Sequence, residues 1–238
     1  KNGFIVNVKG NAEIKNINIT SLTNELFEFG VVEGGFTCLG CKSLKSLEGA
    51  PKKVRAWFDC IECESLKSLE GGPKEVGGTF YCDYCDSLKS LEGAPEKVGI
   101  NFYCSNCKSL KSLKNAPEKV GGGFCCNNCK SLKSLEGAPG KVGDFFDCSH
   151  CKSLKTLEGG PKEVGDNFEC HQCDSLKSLK GGPKEVGGHF CCNDCKSLTS
   201  LEGAPEKVGG SFNCSDCGAQ FTEDDVRKYT TVSRNIHV

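Results

Sequence analysis

Eighteen of the twenty cysteines fall in nine Cys-x-x-Cys pairs: Cys38/Cys41, Cys60/Cys63, Cys82/Cys85, Cys104/Cys107, Cys126/Cys129, Cys148/Cys151, Cys170/Cys173, Cys192/Cys195 and Cys214/Cys217. Paired thiolates can ligate zinc or an iron-sulfur cluster, and the 18 residues between successive pairs match zinc-ribbon spacing. A four-thiolate site consumes two pairs, however, so nine pairs leave one over. Pairing in twos should also impress a period of two repeats, and none is visible. Disulfides are a second possibility, because Cα atoms stacked about 4.8 Å apart fall inside the disulfide window. Redox catalysis would need the pair at a helix N-terminus with a lowered thiol pKa, and nine equal copies speak for structure instead. The preferred reading is two ladders of buried thiols, acting as small apolar residues with weak S–H donors, and no cofactor. A zinc or iron-sulfur array is the alternative.

Two cysteines stand off the ladder. Cys125 and Cys191 occupy the slot between a Phe and the first ladder Cys, which alternation predicts to face outward. Three coils, roughly 14 Å, separate them, too far for a mutual bridge. They read as exposed thiols, either incidental or in contact with a partner or a metal.

The cysteines are positioned by a repeat, F-x-C-x-x-C-x-S-L-x-S-L-E-G-[AG]-P-x-x-V-G-G-x, that recurs every 22 residues without a slip. F-x-C points Phe and Cys to one side of a short strand, Leu-x-x-Leu and Val return the chain, and the Gly and Pro residues make turns. One short parallel strand per coil follows. A single unit cannot bury its own apolar face, so coils must stack, and nine of them would span roughly 40 Å. Residues 1–35 keep Ser21-Leu22, Val32 and Gly34-Gly35 in phase and read as a degenerate N-terminal capping repeat, with Ile14, Ile17 and Ile19 suggesting strands. Residues 36–217 form the nine-fold solenoid, and residues 218–238 a C-terminal cap with a short helix. Thr222 is its N-cap and Asp225 takes the capping-box position.

Phe58-x-Cys60-x-x-Cys63-x-x-Leu66 resembles a leucine-rich repeat, with Cys63 at the place of the inward Asn or Cys. The S-L-x-S-L-E-G-A-P-x-x-V-G-G-x-F-x-C wording is similar to leucine-rich-like repeats of bacteriophage and environmental proteins, and more distantly to those of bacterial surface antigens. That resemblance covers residues 36–217 and implies a mostly β and turn solenoid, a binding or scaffolding role, and a virion or cell-surface setting. Free thiols would fit the cytoplasm instead.

If the repeat fixes the core, the informative positions are those that vary. They cluster on and beside the Phe strand: Trp57, Asp59, Tyr81, Tyr84, Tyr103, Phe145, Asp147, His150, Glu169, His171 and His189. Amphipathic aromatics anchor interfaces, so this face is the candidate site for a protein or glycan partner. The three histidines fall in three different slots, which does not favour convergence on one metal ion. Lys45, Lys67, Lys89, Lys111, Lys133, Lys155 and Lys177 form a column resembling a polyanion stripe, but the column of Glu48, Glu70, Glu92, Glu136, Glu158 and Glu202 is expected to neutralise it. The serines beside them are expected to form hydroxyl ladders between coils.

Catalysis finds no support, since carboxylates recur with the repeat and no nucleophile, base and acid stand together at distinctive positions. With 30 basic and 31 acidic residues there is no bulk field to recruit nucleic acid. No apolar run approaches the roughly 20 residues that span a bilayer. The chain starts at Lys1 and lacks Met, which implies a removed translation start and leaves a signal peptide open. The expectation is a non-enzymatic binding or structural scaffold, with a metal array or a self-assembling component as alternatives.

Overall fold

A computed structural model describes residues 4–238 as a parallel β-solenoid of about eleven turns. Each coil contributes two strands, where the sequence suggests one. The Phe strands, such as Phe58–Asp59 and Phe80–Tyr81, build one eleven-stranded parallel sheet. The Val strands, such as Lys53–Val54 and Glu75–Val76, build a second. In both sheets like pairs with like, Phe58 opposite Phe80 and Val54 opposite Val76, so the register equals the repeat. The Val strand is only two residues long, too short to show alternation in the sequence. It has the same logic as the Phe strand, an inward apolar residue beside an outward polar one.

The ends continue this pattern. Phe4–Val8 and Ala12–Glu13 pair with Phe27–Val32 and Phe36–Thr37, while Thr231–Val232 and Ile236–His237 extend the two sheets at the other end. Residues 1–3 of the expected N-terminal cap lie outside the described residues. Each end coil is two residues longer than the repeat, since Val8 aligns with Val32 and Val208 with Val232. At the C-terminus the extra length holds the helix Glu223–Arg227, capped by Thr222 through a capping box with Asp225, as its residues predict. Ile14, Ile17 and Ile19 lie outside the strands, contrary to the expectation for them.

The interior is a set of columns. The nine Phe rings from Phe36 to Phe212 stack face to face, with successive centroids 5.0 to 5.5 Å apart. Leu44, Leu47, Val54 and their repeats fill the rest, essentially without solvent contact. Two left-handed turns per coil keep the columns aligned. The residue before the second Cys, from Glu62 to Asp216, has φ between +54 and +59°. The Gly of the E-G turn has φ of +80 to +93°, and Asn115 stands in its place once at +66°. A methyl group at Gly93 would also strike the backbone of Glu70 in the coil before, so this position needs glycine both for its φ and for the close approach.

Candidate functional site

The left-handed turn of each Cys-x-x-Cys sets what the cysteines do. It leaves the carbonyl of the first Cys facing inward, and no backbone N–H donates to it. The second thiol of the following pair does: Cys63 Sγ donates to Cys38 O at 3.3 Å, Cys85 to Cys60 O at 3.3 Å, Cys107 to Cys82 O at 3.2 Å and Cys129 to Cys104 O at 3.2 Å. Cys151, Cys173, Cys195 and Cys217 continue the series to Cys192 O. Each thiol thereby satisfies a buried acceptor one coil away, a role an amide side chain could also fill. The first thiols pack as small apolar groups, and Cys60 and Cys82 also donate to Tyr81 O and Tyr103 O at 3.3 Å. Burial pushes the donor thiols of Cys107, Cys129 and Cys173 well above their ordinary range, which keeps the proton that they donate. All twenty cysteines stand as free thiols, and among the described residues no three His, Cys, Asp or Glu side chains are disposed to hold a metal ion.

Cys125 and Cys191 are not the exposed thiols that strand alternation predicts. Cys125 is buried and Cys191 half-buried. Cys125 lies in the coil between those of Tyr103 and Phe145, whose ring centroids are 6.3 Å apart. It accepts from Ser105 Oγ at 3.1 Å and donates to Asp147 Oδ2 at 3.4 Å. Burial, with Asp147 beside it, pushes its thiol up to about 12. Burial and Glu169 do the same to Cys191. Neither is a nucleophile near neutral pH.

The Phe-sheet face carries the variable residues. Trp57 lies over Gly35, and Phe145 over Gly123; a side chain on either glycine would overlap the ring. Each ring therefore has its seat in the coil before it. Tyr81 and Tyr103 stack with centroids 5.3 Å apart, and Asn101 donates to the Tyr103 hydroxyl while accepting from Gly123 N–H at 2.6 Å. The result is a half-exposed ledge of rings running from Tyr81 to Phe145, with Trp57 and Tyr84 more exposed at one end. The chain matches no protein-family model, no curated protein and no solved structure. Its function must be read from this geometry.

Among the acids of the face, burial raises the carboxyl of Asp59 and pushes Asp83 up to about 6, against the stabilising Ser105 N–H. Asp147 accepts from Ser149 N–H and Asn127 Nδ2, both at 2.9 Å, and is occupied within the sheet. His150 and His171 meet edge to face at 5.1 Å, and the hydrogen bond that His171 Nδ1 donates to the Glu169 carboxylate at 3.3 Å raises the His171 pKa. His189 stands apart, its Nδ1 accepting from Ser211 N–H at 3.0 Å. The structure thus brings two of the three histidines together. Ile100, 54 % exposed beside Asn101, belongs to the same face and escapes the sequence reading. Its signal is a large apolar residue in a slot that Gly holds in five other coils.

The charged columns differ from expectation. The Lys45 column makes no ion pair with the Glu48 column among the described residues. Ion pairs run along columns instead, between equivalent positions of neighbouring coils, as in Lys53–Glu75 at 2.6 Å and Lys114–Glu136 at 3.0 Å. The coil-to-coil rise is shorter than the span of three residues around the coil, so a partner one coil on is nearer. Among the described residues the serines form no hydroxyl ladder, and several donate to backbone instead: Ser131 Oγ to Lys108 O and Ser175 Oγ to Lys152 O, both at 2.6 Å.

Proposed function

We propose that this protein is a non-enzymatic binding module, a leucine-rich-repeat-like solenoid that engages a protein partner through its Phe-sheet face. The observation that carries the reading is the seated ring ledge. Trp57 and Phe145 occur where the preceding coil supplies glycine, so the exposed aromatics are accommodated by specific neighbours. Half-exposed aromatics fixed by their seats lose little entropy on binding, which is what interface anchors require. Tyr81 and Tyr103 stack on each other and so offer edges and hydroxyls, which suits a protein surface better than a sugar ring that needs an open aromatic face. The second thiol of each pair stands where a leucine-rich repeat carries its inward Asn or Cys, which supports that kinship.

The test is comparative retention of proteins from the source extract on immobilised full chain, on Tyr81→Ala/Tyr103→Ala, and on the control Lys74→Gln/Lys162→Gln. The reading expects a saturable partner that the first variant loses and the second keeps. When that partner is purified and added, emission from Trp57, the sole tryptophan, should shift to the blue. Retention unaffected by the tyrosine variant contradicts the reading.

A further inference from the structure

Exposed positions of a repeat drift apart unless something holds them. The Ser43, Lys45 and Ser46 columns have drifted little: the seven coils from Lys45 to Lys177 keep Lys and the eighth has Thr199, flanked by Ser on both sides with Thr156 as one exception. The hydroxyls have structural roles. Beside the donors to Lys108 O and Lys152 O, Ser112 and Thr156 donate to Glu136 O and Lys180 O at 3.3 Å and accept from Lys114 and Glu158 N–H.

The lysines have no such role. Lys45, Lys67, Lys89, Lys111, Lys133, Lys155 and Lys177 are all exposed, and among the described residues none makes an ion pair or a side-chain hydrogen bond. Backbone bonds join four of the six successive pairs, among them Lys67 N–H to Lys45 O at 3.4 Å and Lys89 N–H to Lys67 O at 3.3 Å, so the lysines stand in one column. At about 4.8 Å per coil the row is roughly 29 Å long. Other charged columns of the same repeat mix signs and pair along the solenoid, as at Lys108–Asp86 and Lys141–Glu163, both 2.6 Å. Like charges stacked one coil apart repel, and among the described residues no contact ion pair relieves this row.

We propose that this row binds an extended anionic polysaccharide with one carboxylate on each sugar residue. A row with one cation per coil matches a linear polymer with one anion per ring. Lysine is a mobile point charge that suits carboxylates of varied orientation, and the rows of half-buried serines offer polar edges to sugar hydroxyls. The neighbouring column is acidic beside five of the seven lysines and carries Lys114 and Lys180 beside the other two, where the positive strip widens. No aromatic residue lies between Lys42 and Gly49 or at the equivalent positions of the other coils, so the base stacking used to hold single-stranded nucleic acid has no platform. The site is separate from the Phe-sheet face and stands or falls independently of it.

The experiment is titration of the full chain with sodium polygalacturonate, at low and at physiological salt, with neutral dextran and oligothymidylate as comparisons. Saturable binding to polygalacturonate that weakens with salt is expected. Lys89→Gln/Lys111→Gln/Lys133→Gln should bind roughly tenfold more weakly, the loss expected of three exposed charge contacts. That variant should melt no lower than the parent, and Lys74→Gln/Lys162→Gln/Lys184→Gln, with the same charge change on another column, should bind like the parent. The proposal is overturned by absence of polygalacturonate binding at low salt, by equal losses in the two variants, or by oligothymidylate binding as tightly.

Discussion

The inward carbonyl of Cys104 has one donor, the thiol of Cys129, and both are shielded from water. Removing a buried hydrogen-bond donor leaves its acceptor unsatisfied at about 1 to 3 kcal/mol. Cys129→Ala should therefore destabilise by roughly 2 to 3 kcal/mol once lost packing is included. Cys129→Ser, which restores an O–H donor, should recover at least about 1 kcal/mol of that. Denaturant melts of the two variants decide the matter, and equal losses would show that the thiol acts by volume alone. The phase of the cysteines is legible in the sequence because it never slips. The acceptor is harder to see, because the left-handed residue between the pair turns the carbonyl inward, and although Gly40, Asn106, Asn128, Asp194 and Asp216 suit positive φ, Glu62, Tyr84 and Gln172 at the same place mask the signal. Cys125 differs from expectation for a related reason: alternation describes its own strand, while Ser105 and Asp147, which meet its thiol, belong to the neighbouring coils.

The same contrast holds for the elements. Phe-x-Cys announces a strand, whereas Lys-Val between a proline and two glycines reads as part of a turn, so the second sheet is hidden until like residues are set side by side. The end segments lose Cys and Pro and look like caps, yet both extend the two sheets. Strand pairing constrains the backbone and only the inward residue, and Val32, Val232 and Ile236 keep that much of the pattern. The E-G turn is the element most exposed to substitution. Gly93→Ala adds a methyl to a residue at φ +85° that already touches Glu70, and should cost about 2 kcal/mol or more. Asn115→Gly, at the same place in the next coil, should be neutral or stabilising by up to about 1 kcal/mol. Thermal melts of both variants check this. A neutral Gly93→Ala would mean that the coils can separate enough to accept a side chain.

Across the whole molecule, regularity and function divide. Columns that must fit the next coil repeat: Phe, Cys, Leu, Val and the turn glycines. The Phe-sheet face varies from coil to coil and carries the seated rings, and the Lys45 row repeats although no neighbouring side chain pairs with it. Both the protein-binding and the polysaccharide-binding proposals assume that the Cys ladders are part of the interior. The competing account, a zinc or iron-sulfur array, makes the same cysteines the functional site. A single sample separates the two when metal content is measured alongside thiol titration, before and after denaturation, on protein purified without oxygen or chelators. The thiol-ladder account predicts twenty titratable thiols on denaturation, slow reaction in the native state, and zinc and iron far below one ion per chain. Stoichiometric metal, with thiols that become titratable only when it is removed, would contradict it.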